Sequence, residues 1–554
     1  MKSEEREADG ASATITLTER GGAERVVTAR SGETLAAALR RAGIPVDYDC
    51  GGRGKCGRCA LPILGVDGTR STRLACQTPA SSAVRVDVSG LRGETTGPES
   101  PDLAPIDRTR PDAFVAGDSA GRFGLAVDVG TTTLAAALVA LDSGRVIGTL
   151  SARNPQVAYG RDVLARVAAS AGDGASTMRR LVCEAIGALA STLSAQAGVM
   201  TTRITEIVAA GNTVMEFLLT GRDPGPLGEA PFVVGERRFA SEPASAYPWD
   251  AEFAPTARVR VFPVFSAFVG GDIVAGFARL RRLGAFDGTG SRLFLDVGTN
   301  GESILAHNGR YYATSTAAGP AFEGSEISQG SVASPGAIAG VAYDAPTFAW
   351  TPRVVGGVPA TRVCGSGLVA ALAGGLEFGA IAPSGRIASG AEYTAKGGDP
   401  GVAARLRTSG RDRAFLISSP SELEETGGVW LTQRDVRQAQ LAIAATKAGR
   451  RLLLAAAGAD ATSLETLYLA GAFGASLDVT AARRVGLTPR VPGADRVVSC
   501  GNTSLLGAVD VLTGAMEWET LPALLDLVEH VDLAGRADFA DVFAEAARFP
   551  ENFS

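Results

Sequence analysis

Four cysteines near the start of the chain have the spacing to hold a metal cluster. Cys50, Cys56, Cys59 and Cys76 follow the pattern C-x5-C-x2-C-x16-C. Thiolates are the ligands of iron–sulfur clusters, and a [2Fe–2S] centre requires four of them. Three of the cysteines share a glycine-rich loop, and glycine allows such a loop to bend tightly and aim its N–H groups at sulfur. The pattern therefore predicts a [2Fe–2S] centre.

Two other uses of these cysteines stay open, zinc binding and thiols without a metal. Structural zinc sites usually contain two C-x2-C pairs, and this chain has one such pair, Cys56 and Cys59. Disulfides belong to oxidising compartments, and the first residues do not resemble a signal peptide. We therefore expect a reduced, cytoplasmic protein. The scattered cysteines Cys183, Cys364 and Cys500 are expected to be buried small apolar residues.

A second pattern, Asp-x-Gly-Thr at the end of an apolar run, occurs twice. The first copy contains Asp128, Gly130, Thr131 and Thr132, and the second contains Asp296, Gly298, Thr299 and Asn300. Glycine lets a backbone turn approach phosphate oxygens, hydroxyls and N–H groups donate to them, and aspartate holds Mg²⁺, usually through water. One copy alone is equally typical of a hairpin turn. Two copies predict a phosphate clamp in which both aspartates act on Mg²⁺.

Other glycine-rich turns are expected near the same nucleotide. Gly365 precedes a helical run at 368–376, and Gly471 follows an apolar strand at 464–469. We expect both glycines to line the nucleotide, although each motif alone is equally typical of a turn between packed elements. Glu302 is the candidate for orienting the attacking water, with Asp272 and Glu323 behind it. Two Gly-Asn-Thr segments, at 211–213 and 501–503, are interpreted as one copy in each of two related halves that face one cleft.

Length and composition allow several domains and exclude some functions. The chain has 554 residues, is 45% hydrophobic and carries a net charge of −6, which argues against nucleic-acid binding. No apolar stretch approaches the roughly 20 residues of a membrane span, so no membrane association is expected. The predicted organisation is a disordered tail at 1–11, a [2Fe–2S] domain at 12–90, a linker at 91–121 and two further lobes at 122–288 and 289–554.

Local patterns indicate the class of each domain. Alternating strands near 13–18 and 24–28, a helix from Ser31 to Gly43, and strands at 60–64 and 83–89 predict a small β-grasp-like domain. From Phe123 onward, apolar strand runs alternate with helical patterns, which is typical of α/β architecture. The final stretch Leu521–Phe549, in which acidic and apolar residues are interleaved, is predicted to be helical.

The order of these motifs resembles one family along nearly the whole chain. The duplicated Asp-x-Gly-Thr strands and the Gly-Ala-Phe-Gly turn at 471–474 resemble the acetate kinase, sugar kinase, Hsp70 and actin superfamily. With the N-terminal cysteines, the chain is similar to the RACo-like reductive activators of corrinoid-dependent proteins. Matching segments also include those that begin at Asn154, Gly211, Phe268, Ala317, Cys364 and Leu431. Relatives often carry histidines where this chain has Glu216 and Phe217.

The resemblance implies an α/β multidomain fold, with a β-grasp ferredoxin-like domain followed by a two-lobed, RNase H-like ATPase core of the actin/Hsp70/sugar kinase type. It implies ATP, Mg²⁺ and a [2Fe–2S] cluster as cofactors, a homodimer, an external low-potential electron donor, and a corrinoid protein of a methyltransferase system as partner. The implied function is ATP-dependent, one-electron reduction of inactive Co(II) to Co(I). Neither His307 nor His530 has the Asp-x-His-x-x-Gly context of a cobalamin ligand, so the corrinoid is expected on the partner.

Two other functions remain open. The nucleotide motifs also permit a small-molecule kinase with an accessory redox domain, which would place phosphate on a metabolite. A redox-sensing scaffold that binds nucleotide without turnover is the third candidate, and it would retain ADP without hydrolysis. Removal of the cluster distinguishes the kinase from the reductive activator, because a kinase would keep its phosphate-transfer activity without the cluster.

Overall fold

The computed structural model describes residues 13–18, 24–29, 32–41, 59–64, 70–80, 84–88, 121–324, 326–344, 346–410, 412–418, 428–489, 491, 496–533 and 535–551. The predicted tail, nearly all of the predicted linker, Cys50, Cys56, Ser31 and Gly43 lie outside these residues. The chain divides into two compact units, Met1–Gly97 with Gln156–Arg161, and Pro98–Pro155 with Asp162–Ser554.

The first unit contains a five-stranded sheet with one helix packed on it. Its elements are β1 (Ala13–Thr18), β2 (Glu24–Ala29), α1 (Leu35–Arg41), β3 (Ala60–Leu64), β4 (Arg70–Leu74) and β5 (Val84–Asp87). The strand order is β2-β1-β5-β3-β4, with β1 and β5 parallel and the remaining pairs antiparallel. Leu35 and Leu39 of α1 are fully buried in one cluster with Ile15, Leu17 and Val86. This mixed sheet and helix confirm the predicted β-grasp plan.

The second unit begins with a lobe built on a six-stranded sheet. Its elements are β6 (Phe123–Val129), β7 (Thr133–Ala140), β8 (Arg145–Arg153), α2 (Val163–Ala169), α3 (Gly174–Gln196), β9 (Ile204–Gly211), α4 (Thr213–Thr220), β10 (Glu242–Pro243), β11 (Arg258–Val261) and α5 (Gly271–Arg282). The strand order is β10-β11-β9-β6-β7-β8. Strand β6 is buried along almost its whole length, as expected for a central strand written as a continuous apolar run.

A second lobe repeats this plan with more insertions. Its first half contains β12 (Ser291–Val297), β13 (Asn300–His307), β14 (Arg310–Ala317), β15 (Ala337–Asp344), β16 (Ala349–Val354), β17 (Arg362–Val363), α6 (Gly365–Glu377), α7 (Gly390–Ala395), α8 (Pro400–Ala403), β18 (Leu406–Ser409) and β19 (Asp412–Leu416). Its second half contains β20 (Trp430–Thr432), α9 (Gln433–Ala457), β21 (Leu464–Ala470), α10 (Gly471–Ser476), α11 (Val479–Val485), β22 (Val497–Gly501), α12 (Thr503–Leu512), α13 (Leu521–Leu524), β23 (Val528–His530) and α14 (Phe539–Ala546). The main sheet has the order β22-β21-β12-β13-β14-β23, and two three-stranded sheets, β16-β15-β17 and β18-β19-β20, complete the lobe.

The two main sheets share one topology. In each lobe the first three strands form an antiparallel meander, and two later strands add in parallel on the other side of the first. These parallel strands are β9 and β11 in the first lobe and β21 and β22 in the second. This repetition confirms the predicted two-lobed α/β core. It also corrects one sequence interpretation. The segment at 211–213 follows β9, the parallel strand next to the first strand of its lobe, whereas 501–503 follows β22, the outer parallel strand. The two Gly-Asn-Thr segments are therefore not equivalent. The structural counterpart of Gly211 is Gly471.

The C-terminal stretch 521–549 is only partly helical, which corrects its helical prediction. Between the short α13 and α14, residues Val528–His530 form an edge strand that pairs in parallel with β14, where Tyr311 lies opposite Val528. An unpaired edge of the main sheet offers backbone hydrogen bonds that a local helical pattern does not account for. Tertiary pairing therefore outweighs the helical preference of this segment. The scattered cysteines Cys183, Cys364 and Cys500 are buried thiols, as predicted.

Helices α5 and α12 occupy equivalent places in the two lobes and pack closely against each other. A Cβ atom at Gly507 would lie 2.6 Å from the Ala275 carbonyl oxygen, and one at Gly276 would lie 2.7 Å from Thr503 Oγ1. Asp510 of α12 is held by Arg279 and Arg282 of α5, at 2.5 and 2.8 Å. The glycines thus permit a close helix crossing, and the ion pairs join the two lobes.

Gly507→Ala is expected to lower the free energy of unfolding by about 1–3 kcal/mol, because overpacking a tight contact forces backbone shifts. Chemical denaturation of the purified protein measures this. Gly235→Ala is the matched control, since a Cβ there meets no atom within 4 Å. Equal stability of the two variants would mean that the helix crossing is not tightly packed.

Candidate functional site

The first unit brings two of the predicted cluster ligands together. Cys59 precedes β3 and Cys76 follows β4, and the antiparallel pairing of Ala60 with Leu74 places their ends side by side. The two Sγ atoms are 3.2 Å apart, and both residues are buried. A disulfide bond would require an S–S distance of about 2.0 Å, so these residues are two separate thiols. Two adjacent, buried thiols are a fitting donor pair for an iron–sulfur cluster, and the other two predicted ligands lie outside the described residues.

In the second unit, the first Asp-x-Gly-Thr copy forms the turn between β6 and β7. A Cβ atom at Gly130 would lie 2.5 Å from the Thr133 carbonyl oxygen, so this closure requires glycine. Asn154 Nδ2 donates to the Gly130 carbonyl at 2.8 Å, and the Asn154 backbone N–H donates to the Thr132 carbonyl at 2.8 Å. The carbonyls of the turn are therefore tied down, which gives it the rigidity that a phosphate-binding backbone needs.

The intervening carbonyl of this turn, that of Thr131, accepts from the guanidinium of Arg166. Arg166 lies on α2 and is fully buried. Burial lowers its pKa to about 9, while the negative charges of Glu323 and Asp162 oppose that shift. A positive charge thus lies directly behind the first Asp-x-Gly-Thr turn. Sequence reasoning missed Arg166 because it belongs to none of the glycine-rich motifs. Asn154 begins one of the segments that match the family, but its sequence context predicts no role for it.

The second copy forms the turn between β12 and β13. Thr299 and Asn300 are buried, and the Thr299 carbonyl accepts from the Gly319 N–H at 2.8 Å. The Asn300 side chain hydrogen-bonds Glu302, which is also buried. This turn is thus built like the first, with its carbonyl tied to a neighbouring loop and its polar side chains close together.

Glu323 connects the two turns. It lies in the short 3-10 turn Pro320–Glu323. One oxygen of its carboxylate accepts from Thr132 Oγ1 of the first lobe, and the other accepts from Thr299 Oγ1 of the second lobe at 2.5 Å. The structure therefore brings both Asp-x-Gly-Thr turns to one point, as two related halves facing one cleft require.

Four carboxylates lie together beside these turns: Asp128, Asp272, Asp296 and Glu302. Burial raises the pKa of each of them. The charge of Asp128 further raises the pKa of Asp296, to about 7, and the charges of Asp296 and Asp128 help raise that of Asp272 to about 8. Asp272 and Asp296 likewise add to the upward shift of Glu302. The cluster is therefore an electronegative site suited to a cation.

Asp128 is oriented from the other lobe. Asn502 Nδ2 and Ser504 Oγ donate to its two oxygens at 2.7 and 2.9 Å. Asn502 is also the N-cap of α12. Among the described residues, no group of three His, Cys, Asp or Glu side chains has the geometry to enclose a metal ion. Mg²⁺ fits such a site, because it is usually held by one or two carboxylates, phosphate oxygens and several waters.

The two predicted nucleotide-lining glycines both lie at close approaches. Gly471 has φ = 80°, and a Cβ atom there would lie 2.5 Å from Asp296 Oδ1. A Cβ atom at Gly365 would lie 2.0 Å from the Phe322 carbonyl oxygen, and Phe322 in turn stacks on Phe473 at 4.8 Å between ring centroids. The turn that begins at Gly471 is thus joined to the carboxylate cluster and to the segment that carries Glu323.

Glu216, also unpredicted, lies next to this cluster. It is fully buried, accepts from the Gly211 N–H at 3.1 Å, and is approached by Gly271, while its Oε2 atom lacks a partner in the structure. Burial and the charge of Asp272 hold its pKa well above the usual range. Glu216 therefore behaves as a neutral acid.

Glu216→Gln is expected to change the pH dependence of stability. The pKa of Glu216 is higher in the folded protein than in the unfolded chain, so the folded protein binds this proton more tightly. The free energy of unfolding of wild type therefore falls as pH rises above about 4.5, by up to about 1.4 kcal/mol per pH unit. Glutamine mimics the neutral acid and removes that slope. Thermal unfolding from pH 5 to 9, with Glu229→Gln as an exposed control, measures it. Parallel curves for wild type and Glu216→Gln would contradict a raised pKa.

These features define a class of protein: a [2Fe–2S] ferredoxin-type domain joined to a two-lobed ATPase. Comparison with known families agrees. Residues 18–81 match the 2Fe-2S iron-sulfur cluster binding domain, 123–281 match the RACo middle region, and 291–554 match the C-terminal domain of RACo, the ASKHA domain.

Individual relatives point to the same family. The chain is 31% identical over 438 residues to "Corrinoid activation enzyme RamQ" of Eubacterium limosum, covering 78% of this chain and 71% of that protein. It is 29% identical over 259 residues to a "[Co(II) methylated amine-specific corrinoid protein] reductase" of Methanosarcina barkeri, covering 43% and 41%. The solved structure titled "Reductive activator for corrinoid,iron-sulfur protein" superposes with a TM-score of 0.69 and 26% identity, covering 97% of this chain and 98% of that one. The chain belongs to the RACo family.

In the part of the chain that the structure describes, helices long and apolar enough to cross a membrane are absent.

Proposed function

We propose that this protein reductively activates a corrinoid protein, using ATP and an electron from its [2Fe–2S] domain to convert Co(II) to Co(I). The observation that carries the proposal is the combination, in one chain, of the paired thiols Cys59 and Cys76 with a phosphate cleft in which Glu323 joins two Asp-x-Gly-Thr turns. The named functions of its relatives support the corrinoid protein as partner.

The electron transfer needs a driving force. A plant-type [2Fe–2S] centre has a potential near about −400 mV. Moving one electron a further ~100 mV uphill costs about 2.3 kcal/mol. A cluster held by the four cysteines would supply the single electron that reduces Co(II) to Co(I). An external low-potential donor would then return one electron to the chain. ATP hydrolysis in the second unit would supply the free energy that the redox centre lacks.

Residues of the cleft take the following roles in this proposal. Asp128 and Asp296 would hold Mg²⁺, which neutralises charge on the phosphates. Thr131, Thr132, Thr299 and Asn300 would bind phosphate oxygens. The missing side chains of Gly130 and Gly298 would let the backbone of each turn approach those oxygens. Glu302 would orient the attacking water, and its contact with Asn300 fixes its direction. Gly365 and Gly471 would border the nucleotide.

Cys50, Cys56, Cys59 and Cys76 would hold the cluster within a domain at 12–90. We further propose a linker at 91–121, ATPase lobes at 122–288 and 289–554, and a homodimer as the active form. Sedimentation of the protein at micromolar concentration tests the last point, and a single species of 56.5 kDa would contradict it.

The function is tested with a corrinoid protein loaded with cobalamin and poised as Co(II). The iron-loaded protein, Ti(III) citrate and Mg-ATP are added, and the visible spectrum is followed. The expected result is Co(I) formation that needs both ATP and the protein. Phosphorylation of a metabolite without Co(I) formation would favour the kinase alternative instead.

A further inference from the structure

The two hydroxyls at the centre of the cleft are already engaged by a carboxylate. Thr132 Oγ1 and Thr299 Oγ1 both donate to Glu323. A threonine hydroxyl has one proton and can donate one strong hydrogen bond at a time. A phosphate oxygen that accepts from either hydroxyl must therefore take the place of a Glu323 oxygen. Glu323 and phosphate compete for the same donors.

The charge arrangement permits this exchange. The Arg166 guanidinium is fully buried, contacts the Thr131 carbonyl and is attracted by Glu323. A buried cation requires negative charge nearby. Glu323 supplies it in this structure, and a phosphate group at the same two hydroxyls would supply it as well. Asp162, whose side chain accepts from the Ala165 N–H at the start of α2, adds negative charge near Arg166 whether Glu323 or phosphate is present.

The backbone around Glu323 is held in place, so that the carboxylate is the part that can move. Gly324 has φ = 76°, and a Cβ atom there would lie 2.3 Å from the Ser331 N atom. On the other side of Glu323, the carbonyl group of Phe322 packs closely against Gly365, and the Phe322 ring stacks on Phe473. Rotation of the Glu323 side chain can release the hydroxyls without disturbing this segment.

We infer that Glu323 is a phosphate-competing acceptor, which alternates with a terminal phosphate of the nucleotide on Thr132 and Thr299 while Arg166 balances the charge of either one. The ligand class is a nucleoside di- or triphosphate, and a nucleoside monophosphate would not compete. The inference rests on the proposed nucleotide site and deepens it. Removal of the Glu323 carboxylate should therefore strengthen nucleotide binding, whereas removal of a metal ligand would weaken it.

Isothermal titration of the full-length, iron-loaded protein with Mg-AMP-PNP and with AMP tests the inference. Glu323→Gln replaces a charged acceptor by a neutral one at two hydroxyls. Because hydrogen bonds to charged groups are stronger by about 1 kcal/mol, Mg-AMP-PNP should bind about fivefold tighter to this variant. AMP affinity should not change. Glu326→Gln removes an exposed carboxylate nearby and is the matched control, expected to bind like wild type.

Arg166→Met is expected to weaken Mg-AMP-PNP binding, and thermal unfolding of each variant establishes that it is folded. Unchanged or weaker Mg-AMP-PNP binding by Glu323→Gln would overturn the inference, since a water-orienting base leaves affinity unchanged and a metal ligand weakens it. Tighter AMP binding would also overturn it, because competition would then not involve the terminal phosphates. If wild type bound no nucleotide at all, the proposed function would fail with it.

Discussion

Asp296→Asn is expected to lower ATP hydrolysis by about 10²–10³-fold, the usual effect of removing one group that stabilises developing charge. Asp296 ends the central strand of the second lobe, lies against Gly471, and interacts electrostatically with Asp128 and Asp272. Neutralising it removes part of the field that attracts Mg²⁺. Phosphate release under saturating Mg-ATP measures the loss.

The same variant should be more stable than wild type when the cation is removed. Burial and Asp128 raise the pKa of Asp296 to about 7. At pH 8 in EDTA, the ionised Asp296 side chain therefore lowers the free energy of unfolding. Asparagine carries no charge and should raise that free energy by about 1–2 kcal/mol, a value reduced because the side chain is partly exposed. Asp287→Asn, at an exposed site before β12, is the control. A variant with hydrolysis close to wild type would exclude Asp296 from the machinery.

Cys59→Ser is expected to abolish Co(I) formation while ATP hydrolysis stays within about twofold of wild type. Cys59 is packed against Cys76 in a hydrophobic cluster confined to the first unit, and the ATPase lobes have cores of their own. Units with separate cores fold and act largely independently. Iron and sulfide content and the visible spectrum report whether the cluster is present. Phosphate release reports ATP hydrolysis separately.

Cys183→Ala provides the control, because Cys183 is a buried thiol on α3 of the second unit. It should retain the cluster spectrum and Co(I) formation. Equal loss of hydrolysis and electron delivery in Cys59→Ser would show that the two units do not act as separable modules.

The strands that end in the two phosphate turns were predictable, because buried central strands are continuous apolar runs that stop at glycine. β6 and β12 confirm this. The strands β1, β2 and β3 of the first unit were predicted from alternating polar and apolar residues, and they are also present. Alternation and turn residues were sufficient there, since each signal lies within a few neighbouring residues. The stretch at 521–549 was misjudged because its strand exists only through pairing with β14.

Other parts of the site depend on contacts that no local pattern reveals. Asp128 is oriented by Asn502, 374 residues further along the chain. Arg166 has no motif of its own, and its importance follows only from its burial behind Thr131. The two Gly-Asn-Thr segments looked alike, yet strand order places them after non-equivalent strands. Sequence similarity over three residues cannot report position within a sheet.

The central claim is that hydrolysis of ATP in the cleft drives an electron from the [2Fe–2S] domain to cobalt. A single-turnover experiment tests it most directly. The protein is reduced, freed of excess reductant, and mixed with a Co(II) corrinoid protein, and stopped-flow absorbance follows cluster and cobalt together. We predict that cluster oxidation and Co(I) formation occur together when Mg-ATP is added and not with AMP-PNP. Co(I) formation at the same rate and extent without nucleotide would contradict the account.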